Sequence, residues 1–146
     1  MTLSIQESLY PDSTCFGCGP ANPEGLQLRS FVADDGVVAA FSPGPQHSNG
    51  MGTLNGGIIA TVLDCHSGAV VLHQTSAGAG RLTDMWVTSG LELRYRLPTF
   101  LDGPCLLTAR ITERAEDVMV VSATLSYADK VRVQAQSRWA KIRPRS

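Results

Sequence analysis

The sequence predicts an α+β fold in which an antiparallel sheet wraps around one central helix. Two observations carry this prediction. An apolar helical pattern with a single charged residue occupies the middle of the 146-residue chain, and four segments with period-two alternation follow it. Only one predicted helix is long enough to cover the apolar face of such a sheet. We therefore expect a single domain over residues 1–146, with residues 1–25 as an N-terminal arm.

Composition excludes several classes of function. The net charge of -1 does not favour nucleic acid, because the phosphate backbone selects strongly basic surfaces. The N-terminus has neither the basic nor the apolar region of a secretory signal. We expect no apolar run, including the central helix, to reach the ~18 residues that span a bilayer. Four cysteines are too few for a disulfide framework in a chain of this size, so we expect a cytoplasmic protein without a membrane partner.

The arm contains a Cys-x-x-Cys pair, Cys15 and Cys18, among Gly and Pro turn signals. This spacing is compatible with zinc, but a closed structural site needs four ligands. Cys65 and Cys105 lie far away in sequence and in unrelated contexts. A redox pair is not favoured either, because no helix pattern follows to lower a thiol pKa. We interpret the pair as a tight turn with two partly buried thiols, and predict no metal and no cofactor.

A hairpin precedes the helix. Residues 26–33 and 37–41 are two apolar runs joined by Asp34-Asp35-Gly36, and an Asp-Gly turn between such runs is a good hairpin signal. Residues 42–54 are predicted to be a loop. The helix is predicted to begin near Asn55, a favoured N-cap, and to end before Ala77, where glycines follow.

Asp64 is the only charged residue from Val37 to Gly80. The apolar residues of the helix form a wide face, which is typical of a nearly buried helix. Asp64 belongs to the narrow strip that is left, and small residues there would let a ligand or another chain approach; the strip consists of Ala60, Asp64, Ser67, Gly68 and Val71.

Four alternating segments follow the helix, and they predict consecutive antiparallel strands with one face buried. The residues predicted to point inward are Leu91, Leu93, Tyr95 and Leu97 in the first segment, Leu107, Ala109 and Ile111 in the second, Val121, Ala123, Leu125 and Tyr127 in the third, and Val131, Val133 and Ala135 in the fourth, with Trp139 and Ile142 beyond it.

The start of the helix is a candidate site for an oxyanion. Helix N-termini carry unpaired N–H groups and a partial positive charge. Asn55-Gly56-Gly57 places glycines there, so a substrate atom can approach the backbone. The alternative is that the glycines only allow a tight entry into the helix, and the residues alone leave both interpretations open.

Asp64 lies nine residues after Asn55, so the two side chains point to opposite sides of the helix. One helix therefore cannot easily bring Asp64 and its own N-terminus to one carbonyl group. Two antiparallel copies can, and this geometry predicts two equal sites shared across a two-fold homodimer. The alternative for Asp64 is a structural hydrogen bond or a solvated face. His66 follows Asp64 closely, but it lies on the apolar face, where a hydrogen-bonded core histidine is the commoner case.

The loop and helix resemble a known signature. Residues 49–57, NGMGTLNGG, followed by Ala60-Thr61 and Leu63-Asp64, resemble the hotdog-fold thioesterases of the PaaI-like and 4-hydroxybenzoyl-CoA thioesterase-like branch. The strand end Tyr95-Arg96-Leu97-Pro98 and the arm segment CFGCGPANPEGLQL are similar to parts of that family. The resemblance covers roughly residues 15–139.

This resemblance implies a hotdog fold with a sheet of about five to six strands around the helix. It further implies a dimeric acyl-CoA thioesterase, in some members a dimer of dimers. The resemblance implies that Asp64 is the general base or nucleophile and that the Gly56 N–H holds the thioester oxygen. It also implies that Asn49 from the partner chain positions the water or carbonyl, that Thr88 helps to hold the water, and that basic residues bind the CoA phosphates, with Arg96, Arg138 and Lys141 as candidates. We further predict substrate contacts for Gly57, at the helix start, for Arg96, and for His66, because it follows Asp64 so closely.

One position departs from the family pattern, since Asn55 stands where the family typically has His. An Asn amide can donate a hydrogen bond in its place but cannot change charge. We therefore predict hydrolysis of an acyl-CoA thioester, and keep two alternatives: a non-catalytic acyl-CoA binding protein, and an acyl-thioester hydratase or dehydratase.

Overall fold

The computed structural model describes residues 2–76 and 78–143. Two helices, one 3-10 turn and six strands make up this part of the chain. In order they are α1 (Ile5–Leu9), β1 (Ser30–Ala33), β2 (Gly36–Phe41), the 3-10 turn Pro45–His47, α2 (Gly56–Thr75), β3 (Met85–Tyr95), β4 (Cys105–Arg114), β5 (Val118–Tyr127) and β6 (Lys130–Ile142).

All six strands form one antiparallel sheet in the order β1-β2-β4-β5-β6-β3. The helix α2 connects β2, near one end of this order, to β3 at the other end. It packs against five of the strands, β2 to β6, so the sheet curves around it. This is the α+β architecture with one central helix that the sequence predicts, and the six strands agree with the expected number.

The helix α2 has the predicted bounds. Asn55 is its N-cap, and its side-chain Oδ1 accepts hydrogen bonds from the N–H groups of Gly57 and Ile58. Val62 and Leu63 are completely buried in the core. The expectation that this helix is too short to cross a bilayer is wrong on length, because its 20 residues and mean hydropathy of 1.3 meet that criterion. Core helices meet it too, and α2 packs against the sheet.

The strip of small residues around Asp64 is less open than expected. Ser67, Gly68 and Val71 are buried within the chain itself. Trp139 of β6 packs over Gly68, and a Cβ on that glycine would lie 2.8 Å from the indole ring. The glycine therefore admits a side chain of its own sheet rather than a ligand. Only Ala60 and Asp64 stay partly exposed.

The strands differ from the prediction mainly at their ends. β1 begins at Ser30 rather than at residue 26, and β6 continues to Ile142 as one strand. β3 begins at Met85, several residues before the alternation is visible. A β-bulge between Thr88 and Gly90 shifts its register against β6, and this extra residue breaks the period-two pattern.

β3 is also the strand whose burial was predicted least well. It lies at the end of the sheet and pairs only with β6, so its other edge has no strand beside it among the described residues. Leu91, Tyr95 and Leu97, all predicted to point into the core, are exposed, and Tyr95 is 51% accessible. The alternating pattern here indicates an apolar face that this chain alone does not cover.

The N-terminal arm contains a helical turn that sequence periodicity did not indicate. Ser4 and Glu7 form a capping box around α1, and Glu7 also pairs with Arg29 at 2.8 Å. The Ser-x-x-Glu spacing is the sequence signal for such a cap. Gln6 is buried beneath it and bonds to Ser30 of β1, which attaches the arm to the sheet.

Candidate functional site

Asp64 and Thr88 meet at the middle of α2. The Thr88 hydroxyl of β3 donates a hydrogen bond of 2.7 Å to Oδ1 of Asp64. Thr88 lies at the β-bulge, which changes the direction of side chains along an edge strand. Asp64 is half-buried and forms no ion pair among the described residues. The structure thus places a carboxylate beside a hydroxyl at the open edge of the sheet.

The surroundings of Asp64 change its acidity. Burial raises the pKa of its carboxyl above the ordinary value, and the hydrogen bond from Thr88 partly opposes this shift. Oδ2 of Asp64 has no partner among the described residues. A carboxylate with a raised pKa and such an oxygen is a stronger proton acceptor than an exposed Asp, which is a property that general bases require.

The N-terminal end of α2 is built from backbone groups. Asn55 caps the N–H groups of Gly57 and Ile58 through its Oδ1. The N–H of Gly56 has no hydrogen-bond acceptor among residues 2–76 and 78–143. The amide nitrogen of Asn55 also has no partner within that part of the chain. The helix end therefore offers two donors, one from backbone and one from a side chain, at the positive end of the helix.

Tyr95 contacts this helix end, a role in the site that its alternation in β3 does not predict. Its hydroxyl donates a 2.8 Å hydrogen bond to the carbonyl oxygen of Gly56, and its ring lies over that glycine. The signal that could have found it is its place in the Tyr-Arg-Leu-Pro segment that ends β3. This bond ties the helix start to the edge strand.

Asn49 holds its own loop. Its Oδ1 accepts from the N–H groups of Met51 and Thr53, and its amide donates to the Thr53 hydroxyl at 2.6 Å. Gly50 adopts a positive φ of 85°, which the turn after Asn49 requires. One amide proton of Asn49 is left for a further acceptor. Its predicted role in positioning a substrate therefore stays a prediction, limited to donating one hydrogen bond.

Asn49, Gly56 and Arg96 line one cleft of about 310 Å³. Its floor and walls include Ile59 of α2 and Tyr95 of β3. The guanidinium of Arg96 is held at its rim by Gln134, at 3.3 Å. The structure thus brings together the predicted residues of the loop, the helix start and the strand end.

Asp64 and Thr88 do not belong to this cleft. Asp64 lies eight residues beyond Gly56, which is about 12 Å along a helix axis. The predicted site residues of one chain therefore form two groups: Asn49, Asn55, Gly56, Gly57 and Arg96 at the helix end, and Asp64 with Thr88 at the middle of the helix.

His66 lies apart from both groups. It is completely buried; its Nδ1 bonds to the Ser30 hydroxyl at 2.8 Å and its Nε2 to the Val37 carbonyl at 3.1 Å. Burial lowers the pKa of this histidine to about 4. With both ring nitrogens engaged and no exposed atom in this chain, His66 fits the core histidine that its apolar face indicates, and its surroundings do not favour the predicted substrate contact.

The basic candidates for phosphate binding lie on the exposed side of the β3–β6 end of the sheet. Arg138 is exposed on β6, and its carbonyl accepts a hydrogen bond from Ser89 at the bulge. Lys141 pairs with Asp84 at 3.5 Å. The last three residues of the basic C-terminus, which include Arg145, lie outside the described residues.

The arm cysteines are the clearest correction to the sequence analysis. Its distance in sequence predicts that Cys65 is unrelated to Cys15 and Cys18. In the structure the arm folds over α2, and the three sulfur atoms lie within 4.8 Å of one another. The expectation that Cys65 has no relation to this pair is wrong, because the tertiary fold and not the spacing decides it.

The sequence matches a model of the thioesterase superfamily over residues 51–138. The chain therefore belongs to the thioesterase superfamily, as its loop and helix motif predicts. Two curated relatives are similar to it. Mouse acyl-coenzyme A thioesterase 13 is 26% identical over 110 residues, which are 75% of this chain and 74% of the relative. The human protein of the same name is 27% identical over 105 residues, which are 72% of this chain and 71% of the relative.

Solved structures show that the fold is the hotdog fold. The protein BH2602 from Bacillus halodurans, solved with CoA, superposes with a TM-score of 0.71 at 24% identity, over 82% of this chain and 77% of that one. The PaaI protein of Escherichia coli gives a TM-score of 0.70 at 17% identity, over 81% of both chains. At these identities the likeness concerns the fold.

Proposed function

We propose that this protein is an acyl-CoA thioesterase whose active site is shared between two copies of the chain. The observation that carries the proposal is that the site residues of one chain form two separate groups, each of which lacks part of what the reaction needs. Among the described residues, the helix end has free hydrogen-bond donors but no titratable base, whereas Asp64 is a base with a raised pKa whose neighbouring donor, the Thr88 hydroxyl, is already bonded to it. The curated relatives are named as acyl-coenzyme A thioesterases, which supports the substrate class.

The proposed reaction uses one half from each copy. The thioester carbonyl accepts a hydrogen bond from the Gly56 N–H of one copy and from the Asn55 amide beside it. Asp64 of the other copy either takes a proton from the attacking water or attacks the carbonyl carbon itself. The tetrahedral oxyanion is stabilised at the helix N-terminus, and it collapses with loss of the CoA thiolate, which is protonated to the free thiol.

The edge strand β3 supports pairing of two copies. It exposes a row of apolar side chains, and its outer edge has no strand beside it in the described part of the chain. Such an edge is prone to pair with another chain. Asp64 and Thr88 lie against this edge, so a second copy there would stand close to the carboxylate. A dimer of dimers and a cytoplasmic location are extensions of the same proposal.

A screen for thiol release tests the activity. The chain is assayed with short, medium and aryl acyl-CoAs, and free CoA is measured against an enzyme blank because Cys15 is exposed. We expect saturable thiol release with at least one class. Saturable binding without release would instead identify a binding protein, the alternative that Asn55 favours because its amide cannot titrate. Water addition to an enoyl-CoA would identify a hydratase.

Subunit mixing tests the shared site. Asp64→Asn disables the base, and Gly56→Pro removes the N–H donor at a first helical position, where proline is tolerated. Asn55 has φ -59° and ψ 132°, a conformation that suits a residue before proline. Alone, Asp64→Asn is expected to lose about 10²–10⁴-fold in kcat, as for a general base, and Gly56→Pro about 10²–10³-fold, as for an oxyanion donor. Gly56→Ala is the matched control, because a Cβ there meets only ordinary contacts at 3.6 Å.

Heterodimers of the two variants, purified by two different tags, discriminate the arrangements. If the halves come from different copies, each heterodimer has one intact site and one doubly altered site. It then recovers about half of the wild-type activity per dimer. If both halves lie in one chain, every site keeps a defect and no activity returns. That second result, or an active monomer in sedimentation, contradicts the shared site but leaves thioester hydrolysis itself standing.

A further inference from the structure

We propose that Cys15, Cys18 and Cys65 form a binding site for one zinc ion, which fastens the N-terminal arm to α2. The three sulfur atoms lie within 4.8 Å of one another, and the Sγ atoms of Cys15 and Cys65 are 3.8 Å apart. Two thiolates on a tetrahedral zinc, with bonds of ~2.3 Å, are separated by about 3.8 Å. The Cys15 and Cys65 sulfur atoms therefore already have the separation that the ion requires.

The arm presents its two thiols in a fixed turn. The N–H of Gly19 donates to the Cys15 carbonyl at 2.9 Å and closes the Cys-x-x-Cys-Gly turn. The carbonyl of Gly17 accepts from the Leu28 N–H at 3.0 Å, which holds the turn from its other side. Two cysteines separated by two residues are the commonest half of a structural zinc site. Backbone hydrogen bonds of the chain itself therefore hold the turn.

Gly17 lets this turn approach the helix. A Cβ on Gly17 would collide with the Cys65 sulfur and would lie 2.9 Å from the Thr61 methyl group. No side chain therefore separates the turn from α2 at this point, and Cys65 reaches the two arm thiols.

Three thiols favour a metal over a disulfide. A disulfide needs two sulfur atoms at ~2.05 Å and would leave the third thiol without a function. A zinc ion would bind all three, with water as the fourth ligand; the Cys15 and Cys65 sulfur atoms already have the required separation, and the other sulfur pairs lie within 4.8 Å. Binding releases up to three thiol protons to the solvent and leaves a Zn–thiolate unit of charge about -1. No electron transfer is involved.

The position suggests a structural consequence for the arm. Cys65 directly follows Asp64 on α2, and Cys18 is buried at the junction of arm and helix. A bound ion would cross-link two segments that are nearly fifty residues apart in sequence. The arm should then protect this section of α2 from hydrogen exchange more strongly when zinc is present.

Zinc titration of the intact, reduced and chelator-treated chain tests the proposal. We expect one equivalent of Zn²⁺ per chain in competition with a chromophoric chelator. Co²⁺ in place of Zn²⁺ should give the thiolate-to-metal charge-transfer absorption of a sulfur-rich tetrahedral site. Absence of stoichiometric binding by the folded chain would overturn the proposal.

Variants show whether these thiols are the ligands. Cys65→Ser should weaken zinc binding by more than about 100-fold, since loss of a mere supporting contact already costs ~10–100-fold. Gly17→Ala keeps all three thiols and should weaken binding by about tenfold, because its Cβ displaces the turn. Cys105→Ala is the control, because Cys105 is buried in β4 away from the cluster. Equal affinity in wild type and Cys65→Ser would overturn the proposal.

Two further outcomes are decisive. If the reduced chain binds no zinc but mild oxidation gives a Cys15–Cys65 disulfide by peptide mass mapping, the cluster is a redox pair and the metal site is wrong. If Cys65→Ser is misfolded by circular dichroism, Gly17→Ala and the cobalt spectrum of the wild type decide the question. Thioesterase activity is not a readout in any of these experiments, so they succeed or fail independently of the proposed function.

Discussion

The N-terminal end of α2 and its midpoint offer different kinds of chemical group. At the end, the side chains of Asn49 and Asn55 mainly hold the loop and cap the helix, and the free donors are the Gly56 N–H and amide protons. At the midpoint, the reactive group is the carboxylate of Asp64, and within residues 2–76 and 78–143 the Thr88 hydroxyl is the only group that donates a hydrogen bond to it. Backbone donors tolerate sequence change, whereas a single carboxylate does not. Substitutions should therefore have unequal effects at the two places.

The largest effect is expected at the midpoint. Asp64→Asn keeps the size of the side chain and its acceptor for Thr88 but removes the base. We expect kcat to fall by about 10²–10⁴-fold, the usual contribution of a general base. The measurement is thiol release under saturating acyl-CoA, with the oligomeric state checked by sedimentation. Turnover close to wild type would remove Asp64 from the mechanism.

A smaller effect is expected from the hydroxyl that holds this carboxylate. Thr88→Val removes a hydrogen bond that lowers the pKa of Asp64, so that pKa should rise further. The ionised base is lost as pH falls through its pKa, and the acid limb of the pH–kcat profile should therefore move to higher pH. The same hydrogen bond holds the carboxylate in position, and a hydrogen bond to a charged group is worth about 1.5–3 kcal/mol, so loss of this positioning should lower kcat at least about tenfold. Thr88→Ser should retain the wild-type profile, and an unchanged profile in Thr88→Val would contradict this role.

The Asn55 side chain at the helix end should respond more weakly. Asn55→Ala loses both the cap and the amide donor, and we expect a loss of about 1 kcal/mol in the free energy of unfolding. Asn55→Asp keeps the cap for Gly57 and Ile58 but has no amide proton. Its melting temperature should match the wild type while kcat falls. If Asn55→Asp is fully active, the amide is a cap only.

The smallest effect concerns stability rather than rate. Burial raises the pKa of Asp64 in the folded chain, so the folded state binds more protons than the unfolded state between the two pKa values, and stability falls as pH rises through that window. Asp64→Asn carries no such charge. Its melting temperature at neutral pH should slightly exceed that of the wild type, and the difference should disappear in acid. A lower melting temperature at neutral pH would indicate a structural role for Asp64.

Some features of the fold follow directly from local sequence. Asn55 before two glycines and an apolar run sets the start of α2, and the turn Asp34-Asp35-Gly36 sets the first hairpin; both lie where the pattern puts them. The bulge in β3 was not visible, because an inserted residue shifts the alternation without leaving a distinctive residue type. Gly68 was misinterpreted for a related reason, since its lack of a side chain indicates a close approach but not the partner, which is Trp139.

In the candidate site too, some residues could be identified from the sequence and others only from the tertiary structure. The NGMGTLNGG motif identified the loop, the helix end and Asp64, and the resemblance supplied Thr88. Tyr95 and the third thiol of the cysteine cluster required the tertiary structure, because each acts on a group far away in sequence: Tyr95 on Gly56 at a separation of 39 residues, and Cys65 on Cys15 at 50.

By itself the sequence determined the local periodicities, the helix cap and the isolated acid, since these depend on neighbours within one or two turns of chain. The tertiary structure decided which faces meet. It buried His66 and Gly68, brought Cys65 to the arm, and left β3 at the open edge of the sheet with its apolar residues exposed. These outcomes depend on packing between segments that are distant in sequence. The surroundings of a side chain there are set by the strand order of the sheet and not by the residue type.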